Sequence, residues 1–353
     1  MSVTRESVFQ ALRAVRLPGV KKDVVAAELV PDCAIDGGHV TLILELPSPG
    51  YPEAEALADE LRTAAATVDG VTAVDVKTTF RVRAAQSRLG AVPGVKNVIA
   101  VASGKGGVGK STVAVNLAAA LHRLGAATGL LDLDIYGPSV PVVLGNAEEA
   151  RSTEQQRLIA STAQGLRFLS MGQFAQGEAP VVWRGPMLHK MVTQMIQADW
   201  GELDYLVLDL PPGTGDVQLT VTQNVPVTGA VIVTTPQEIA LIDARKGLTM
   251  FRDARMPILG LVENMAYYKC GSCDREHALF GRDGGARLAE AENIPMLARL
   301  PLDPELAASA DAGRPLVAEG ESETAHAFLK LAAETAAAIG RKSLSPNPFP
   351  VLS

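Results

Sequence analysis

One stretch constrains the fold of this chain more than any other: a glycine-rich loop set between an apolar run and a helical pattern. It reads NVIAVASGKGGVGKST, residues 97–112. Its fixed positions follow the spacing G-x-x-x-x-G-K-[S/T], which in this context is typical of a phosphate-binding loop. The glycines let the backbone direct N–H groups at phosphate oxygens, and the positive end of the following helix faces the same point. The predicted nucleotide-binding residues of the loop are Gly104, Lys105, Gly106, Gly107, Val108, Gly109, Lys110, Ser111 and Thr112.

Four loop side chains carry different expected roles. We expect Lys110 to reach the β- and γ-phosphates of ATP and Ser111 to bind Mg²⁺. The hydroxyl of Thr112 can contact a phosphate nearer the sugar. Lys105, at the second loop position, is on its own compatible with a solvated surface charge.

Carboxylates follow two further apolar runs. The segment LDLDIYGPS contains Asp132 and Asp134, and YLVLDLPPGTGD contains Asp209. We predict Asp209 as the Mg²⁺-binding acid, Asp134 as the residue that positions the attacking water, and Asp132 as support near the ion. The alternative for Asp132 is a strand-end cap.

Five short apolar runs alternate with helical patterns, which predicts a parallel sheet covered on both faces. They read NVIAVAS, ATGLLDLD, YLVLDL, GAVIVTT and ILGLVEN. The predicted fold class is α/β, a P-loop NTPase-type, mostly parallel sheet with helices on both faces, plus a small N-terminal α+β domain. The expected domains are residues 1–83 for the small domain, 84–96 for a linker, 97–340 for the ATPase domain and 341–353 for a disordered tail. The small domain is read as helix, strand pair, helix and strand.

Composition excludes several classes of function. A net charge of -7 does not favour binding to nucleic acid or an anionic membrane. No apolar run approaches the ~20 residues that cross a bilayer, and the first residues lack a signal-peptide core. Three cysteines do not suggest a disulfide framework. We therefore expect a cytoplasmic protein that binds neither nucleic acid nor membrane.

The segment KCGSCDREH, residues 269–277, holds Cys270 and Cys273. A single-chain zinc site would need four ligands, and only His277 is nearby. A redox disulfide normally precedes a helix near the start of its fold, whereas this pair follows a late strand. Two chains contributing one pair each would supply four thiolates, which suit a [4Fe–4S] cluster or zinc equally well. An inert pair is the remaining alternative.

Four separated motifs give the chain a family resemblance. They are SGKGGVGKST, DLDIYGPSVP, LPPGTGD and ENMAYYKCGSCDREHALFGRDGG. Together they resemble the Mrp/ApbC-type iron–sulfur cluster carriers, a group of deviant Walker A P-loop ATPases. The resemblance implies an ATP-dependent carrier that holds a labile [4Fe–4S] cluster between two subunits through Cys270 and Cys273. It also implies a homodimer that accepts clusters from scaffold or donor proteins, transfers them to apo iron–sulfur proteins and hydrolyses ATP.

The same resemblance implies roles for individual residues. GKGGVGK is similar to a deviant Walker A loop, in which Lys105 would reach across a subunit interface to the partner's ATP. Asn264 and the segment 301–303 would lie near adenine. His277 is expected to pack or to form a hydrogen bond rather than to ligate a metal.

The N-terminal segment resembles the MIP18-type domain that is often fused to this family. It departs from that pattern at residues 17–19, where an acidic stretch is usual, and at Tyr51-Pro52, where a cysteine before proline is usual. We assign no cluster ligand there. Cys33 is expected to be a buried, small apolar residue.

Two rival functions remain at this level. A zinc-stabilised P-loop ATPase switch of the partition or positioning type, without cluster transfer, would fit the same motifs. Its membrane- or DNA-binding forms need a basic surface, which the acidic balance does not favour. A reductase like the nitrogenase iron protein would take its cluster ligands singly from separated loops, unlike the close pair here.

Overall fold

The structure is a computed structural model that describes residues 3–85, 89–135, 137–146, 148–154, 156–174, 185–213 and 215–345. The chain divides into two compact units. The first comprises residues 1–83 and 336–353, and the second comprises residues 84–335.

The first unit is a three-stranded sheet with two helices of its own. Its elements are α1 (Arg5–Leu12), β1 (Asp32–Asp36), β2 (His39–Leu46), α2 (Ala54–Ala66) and β3 (Ala73–Phe80). β1 and β2 form an antiparallel hairpin across a Gly-Gly turn, and β3 pairs in parallel with β2. The inward side chains of β2 alternate with outward ones, as period-2 burial requires.

The end of the chain completes the core of this unit. Ala337 and Leu344 are buried among its apolar side chains. Arg341 bonds the Glu53 carboxylate at 3.2 Å and lies over the Tyr51 ring, 5.6 Å from its centroid. Cys33 is buried in β1, as the sequence predicts, and burial raises the pKa of its thiol.

The second unit is built on an eight-stranded sheet. Its elements in chain order are β4 (Val95–Ser103), α3 (Lys110–Arg123), β5 (Thr128–Asp132), α4 (Val140–Val143), β6 (Arg151–Ser152), β7 (Leu158–Ile159), β8 (Ser161–Ala163), β9 (Leu166–Ser170), α5 (Gly185–Ile196), β10 (Leu203–Asp209), α6 (Asp216–Asn224), β11 (Gly229–Thr234), α7 (Glu238–Asp253), β12 (Ile258–Glu263), β13 (Tyr268–Lys269), β14 (Glu276–His277), α8 (Gly284–Ala291), β15 (Met296–Arg299), α9 (Pro304–Asp311), α10 (Leu316–Glu319) and α11 (Glu323–Leu344).

The order of strands in this sheet is β15-β12-β11-β4-β10-β5-β9-β8. Neighbours pair in parallel except β8, which is antiparallel to β9. The central strands are almost continuously apolar and buried because helices cover the sheet, and β11 is buried at every position. The predicted fold class is therefore confirmed.

Three strands of the sheet lie outside the five predicted runs: β8, β9 and β15. They are short, at most five residues, and β9 and β15 each carry an exposed arginine. A short strand near the rim of a sheet buries less side-chain surface and so carries a weaker apolar signal.

Two element ends differ from the expected boundaries. β4 begins at Val95, inside the segment expected as a linker, because Val95 is already buried against the sheet. α11 continues to Leu344 through the beginning of the expected tail, since Leu344 packs in the core of the first unit. Residues 346–353 of that tail lie outside the described residues.

Within the part of the chain that the structure describes, no helix combines the length and apolar character needed to cross a bilayer.

Candidate functional site

The glycine-rich loop leaves the carboxyl end of β4, which lies between β10 and β11 in the sheet. Gly104 lies against α7 so closely that an added Cβ would come within 2.1 Å of the Asp243 carbonyl carbon. Gly109, the N-cap of α3, has a φ of 80°. Both positions therefore require glycine, one for close backbone approach and one for a left-handed conformation. The loop is seated where the N-terminus of α3 can face a phosphate.

Lys110 is the centre of the polar contacts in this site. Its side chain is only 6% exposed. Its Nζ donates to Asp209 Oδ1 at 2.5 Å and to Ser111 Oγ at 3.1 Å, and it lies 3.9 Å from Asp134 Oδ2. The structure thus brings three predicted residues, Ser111, Asp134 and Asp209, together around the ammonium group of Lys110.

Asp209 and Asp132 are neighbours because β10 and β5 pair in parallel with these two residues in register. Both are fully buried. Burial raises the pKa of Asp209 against the lowering effect of Lys110. Burial, followed by the charge of Asp209, raises the pKa of Asp132 to about 7. Two carboxyl groups in a dry site share one lysine, which favours an added cation.

One carboxylate oxygen of Asp209 is available to bind a ligand. Asp209 Oδ2 is buried and has no hydrogen-bond partner among the residues that the structure describes. A buried acceptor without a partner is costly, and a hydrated Mg²⁺ held beside Ser111 would satisfy it. The chemistry of the residues therefore fits a magnesium–nucleotide complex.

A serine that the sequence analysis missed holds Asp132 in place. Ser170, at the carboxyl end of β9, donates its hydroxyl to Asp132 Oδ2 at 2.8 Å, and the backbone N–H of Asp134 donates to Asp132 Oδ1 at 3.0 Å. Gln173 in turn accepts from the Ser170 backbone N–H at 3.0 Å. The signal that could have identified Ser170 is a polar residue ending a short apolar run, LRFLS, next to β5.

The remaining loop residues lie around this centre without joining it. Lys105 is half-buried, and its ammonium forms no ion pair with a described carboxylate. Its backbone carbonyl accepts from Ser103 Oγ at 2.9 Å, which ties the loop to the end of β4. Thr112 is half-buried in the first turn of α3.

Asn264 contacts the loop from the end of β12. Its Nδ2 donates to the Val108 carbonyl at 2.9 Å, and its buried Oδ1 has no partner in the described ranges. The segment 301–303 was also expected near adenine. It lines a cavity of about 230 Å³ beside Cys270. Its Asp303 caps α9 by accepting from the Glu305 backbone N–H at 2.9 Å.

The two predicted thiols lie on a small hairpin, β13–β14. Cys270 follows β13, and its backbone N–H donates to the Arg275 carbonyl at 2.9 Å. Cys270 is half-buried, whereas Cys273 and His277 are exposed. The backbone N–H of Ser272, followed by the Cys273 thiol, lowers the pKa of Cys270. Nearby hydrogen-bond donors therefore favour the thiolate, which is the form that binds metals.

Two protein-family models match the chain. The model of the NUBPL iron-transfer P-loop NTPase, of the ParA group, matches residues 94–336. The model of an iron-sulfur cluster assembly protein matches residues 5–76.

Curated relatives are similar over almost the whole length. The iron-sulfur cluster carrier protein of Deinococcus radiodurans is 44% identical, with 98% of this chain and 99% of the relative covered. That of Synechocystis is 43% identical, with 97% and 99% covered.

Solved structures support the fold of the second unit. A nucleotide-binding protein from Archaeoglobus fulgidus, in complex with ADP and with cobalt found by PIXE, is 37% identical with a TM-score of 0.57, covering 64% of this chain and 89% of its own. The cell division ATPase MinD of Pyrococcus furiosus is 25% identical with a TM-score of 0.51, covering 67% of this chain and 97% of its own.

Proposed function

Because the chain belongs to the family of NUBPL-type iron-transfer P-loop NTPases, which includes the curated iron–sulfur cluster carriers, we propose that it is an ATPase that carries a labile [4Fe–4S] cluster between two copies of itself. The observation that carries the proposal is the presence, in one unit, of a lysine–carboxylate phosphate site and a pair of thiols, of which Cys270 is half-buried and Cys273 is exposed. The cluster is cargo, passed to apo iron–sulfur proteins in the cytoplasm after delivery by a scaffold or donor protein.

The nucleotide half of the proposal assigns roles to the buried centre. Lys110 leaves its contact with Asp209 and binds the β- and γ-phosphates. Ser111 and Asp209 would hold Mg²⁺, which would supply positive charge that neutralises the phosphates. Asp134, with a side chain 14% exposed, is at the border of the site and orients the attacking water. Water adds to the γ-phosphorus, the bond to the β–γ bridging oxygen breaks, and ADP and phosphate leave.

The outer loop residues complete the nucleotide site. The loop backbone from Gly104 to Gly109 cradles the phosphates, Thr112 contacts the phosphate nearer the sugar, and Asp132 supports the Mg²⁺ ligands. Asn264 lies near adenine. Lys105, without a carboxylate partner in its own chain among the described residues, reaches the nucleotide of the second copy.

The cargo half of the proposal follows from a ligand deficit. A [4Fe–4S] cluster takes four thiolates, and the hairpin supplies Cys270 and Cys273. A second copy supplies the other two, so one cluster bridges a homodimer. Exposure of the hairpin leaves such a cluster accessible to solvent and to an acceptor protein, which suits transfer better than permanent electron carriage.

Anaerobic reconstitution with iron and sulfide tests the cargo assignment. We expect roughly four irons and four sulfides per dimer, with the visible absorption of a cluster. Cys270→Ala and Cys273→Ala should each abolish cluster binding, whereas Cys33→Ala, which changes a buried thiol in the other unit, should retain it. Uptake of one zinc per dimer with no cluster would contradict the carrier function and favour the zinc-stabilised switch.

A further inference from the structure

The thiol hairpin contains a third metal-binding side chain. One sulfur each from Cys270 and Cys273 and one ring nitrogen of His277 all lie within 4.8 Å of one another. Sequence reasoning expected His277 to pack or to hydrogen-bond. It is instead exposed, and the hydrogen bonds of the described residues give its ring no partner.

The register of the hairpin explains why the imidazole meets the sulfurs. His277 pairs directly with Tyr268. Two positions further along the hairpin, Cys270 lies opposite Arg275, whose carbonyl accepts from the Cys270 backbone N–H. Residues two apart on a strand share a face, so Cys270 and His277 are diagonal neighbours on one face of the hairpin.

The turn of the hairpin places the second sulfur on the same side. The Asp274 backbone N–H donates to the Cys270 carbonyl at 2.9 Å, and Asp274 has a left-handed φ of 55°. The chain thereby reverses directly after Cys273 and returns it toward Cys270.

We infer that Cys270, Cys273 and His277 of a single chain bind one divalent transition-metal ion, with zinc as the preferred ion and the fourth position open. Zinc binds Cys₂His sets of this kind tetrahedrally with one exchangeable site. Bond lengths of such a site separate two sulfurs by about 3.8 Å and a sulfur from a nitrogen by about 3.6 Å. The ligand atoms lie within 4.8 Å of one another, so side-chain torsions need to move them by about 1 Å at most to reach these separations.

Charge and surroundings fit this ion. Two thiolates and a neutral imidazole around a divalent cation give a neutral site, which an exposed hairpin accommodates. The nearby ammonium of Lys269 is held by Glu323 at 2.7 Å and so does not compete for the thiolates. Thiolate ligands and a tetrahedral set of sulfur and nitrogen donors are typical of zinc, which sets the preference.

The mononuclear site excludes the bridging cluster, because both use the same two sulfurs. It needs one chain and three ligands, whereas the cluster needs two chains and four thiolates. A bound ion would therefore hold the chain in a state unable to accept cargo. The inference does not rest on the proposed cluster function, since it would stand for a protein that never binds a cluster.

Titration of the reduced, full-length protein with Co²⁺ tests the site, because thiolate-to-cobalt absorption reports sulfur ligation directly. We expect one Co²⁺ per chain, displaced by one Zn²⁺, with no change in the oligomeric state measured by sedimentation. His277→Ala should weaken Co²⁺ binding at least about tenfold. His277→Cys should restore affinity and strengthen the thiolate absorption. His326→Ala, which changes another exposed histidine of the second unit, is the matched control and should bind as the wild type does.

Three results would overturn the inference: one ion per two chains, equal affinity in His277→Ala, or no thiolate-to-cobalt absorption in the wild-type protein when its circular dichroism shows intact folding. Anaerobic cluster reconstitution of the wild-type protein is a separate measurement, so failure of the carrier function would be seen there and not in the cobalt titration.

Discussion

The phosphate loop and the thiol hairpin lie in the same unit and are built in opposite ways. The loop surrounds Lys110, which is 6% exposed and already bonded to Asp209. The hairpin presents Cys273 and His277 to solvent, and its nearby ion pair, Lys269 with Glu323, has side chains 45% and 59% exposed. The charged side chains of the loop site are positioned by burial and by neighbouring polar groups. The thiols and the imidazole of the hairpin are positioned by two strands of two residues each.

This difference indicates which region suits phosphate binding and which suits the release of a metal. Positioning a phosphate needs fixed dipoles in a dry site, because electrostatic interactions strengthen as water is excluded. Releasing a metal cargo needs ligands that an acceptor can reach. Substitutions in the loop should therefore affect folding and hydrolysis together, and substitutions in the hairpin should affect metal binding alone.

The largest expected effect comes from removing the buried cation. Lys110→Ala leaves two buried carboxyl groups without their lysine, and loss of one partner of a buried pair costs about 3–5 kcal/mol. We expect the free energy of unfolding to fall by that order, or Asp209 to protonate in compensation. ATP hydrolysis should fall at least about hundredfold.

The exposed ion pair between Lys269 and Glu323 provides the control for this substitution. Lys269→Ala breaks an ion pair of 2.7 Å that is open to solvent, and an exposed pair of this kind contributes little to the free energy of unfolding. Urea unfolding and steady-state ATPase assays measure both variants. Equal losses in the two would show that burial does not distinguish the regions.

A second expected effect concerns pH. The pKa of Asp132 is about 7 in the folded chain, raised from an ordinary value of 3.8. Between these pH values the folded state holds a proton that the unfolded state has lost, so the free energy of unfolding falls as pH rises from about 4 to 7 and levels off above that. The total change is on the order of 4 kcal/mol. Asp132→Asn should remove much of this slope.

Urea unfolding from pH 5 to 8, without nucleotide or magnesium, measures the slope. The wild type and Asp132→Asn are compared under the same conditions. Stability that rises across this range in the wild type would contradict the assignment of a buried, protonated carboxyl group.

The smallest expected effect uses two glycines. Gly104→Ala forces a Cβ to within 2.1 Å of the α7 backbone, and overpacking of this kind costs about 1–3 kcal/mol. Gly271→Ala places a Cβ where no atom lies within 4 Å, so a change within about 0.5 kcal/mol is expected. Thermal unfolding and ADP binding compare them. If Gly104→Ala bound ADP as tightly as the wild type, the close seating of the loop on α7 would not matter for the site.

Much of the fold was predictable because its signals are local. The five apolar runs predict β4, β5, β10, β11 and β12, since a buried strand is apolar on both faces. The sequence did not predict β9 and β15 because Arg167 and Arg299 interrupt their short apolar runs. The end of α11 was missed because its last turns are fixed by burial of Leu344 in the first unit, which no local pattern encodes.

The sequence by itself determined the order of strands and helices, the phosphate loop and the positions of the carboxylates, because spacing along the chain dictates backbone geometry and strand ends. Only the tertiary structure decided the partners. Ser170 meets Asp132 because β9 pairs with β5, and Asp209 rather than Asp134 bonds Lys110 directly because β10 adjoins β4. His277 meets the cysteines through the register of a two-residue hairpin. Such contacts depend on which strands become neighbours, and that is settled by the packing of the whole sheet.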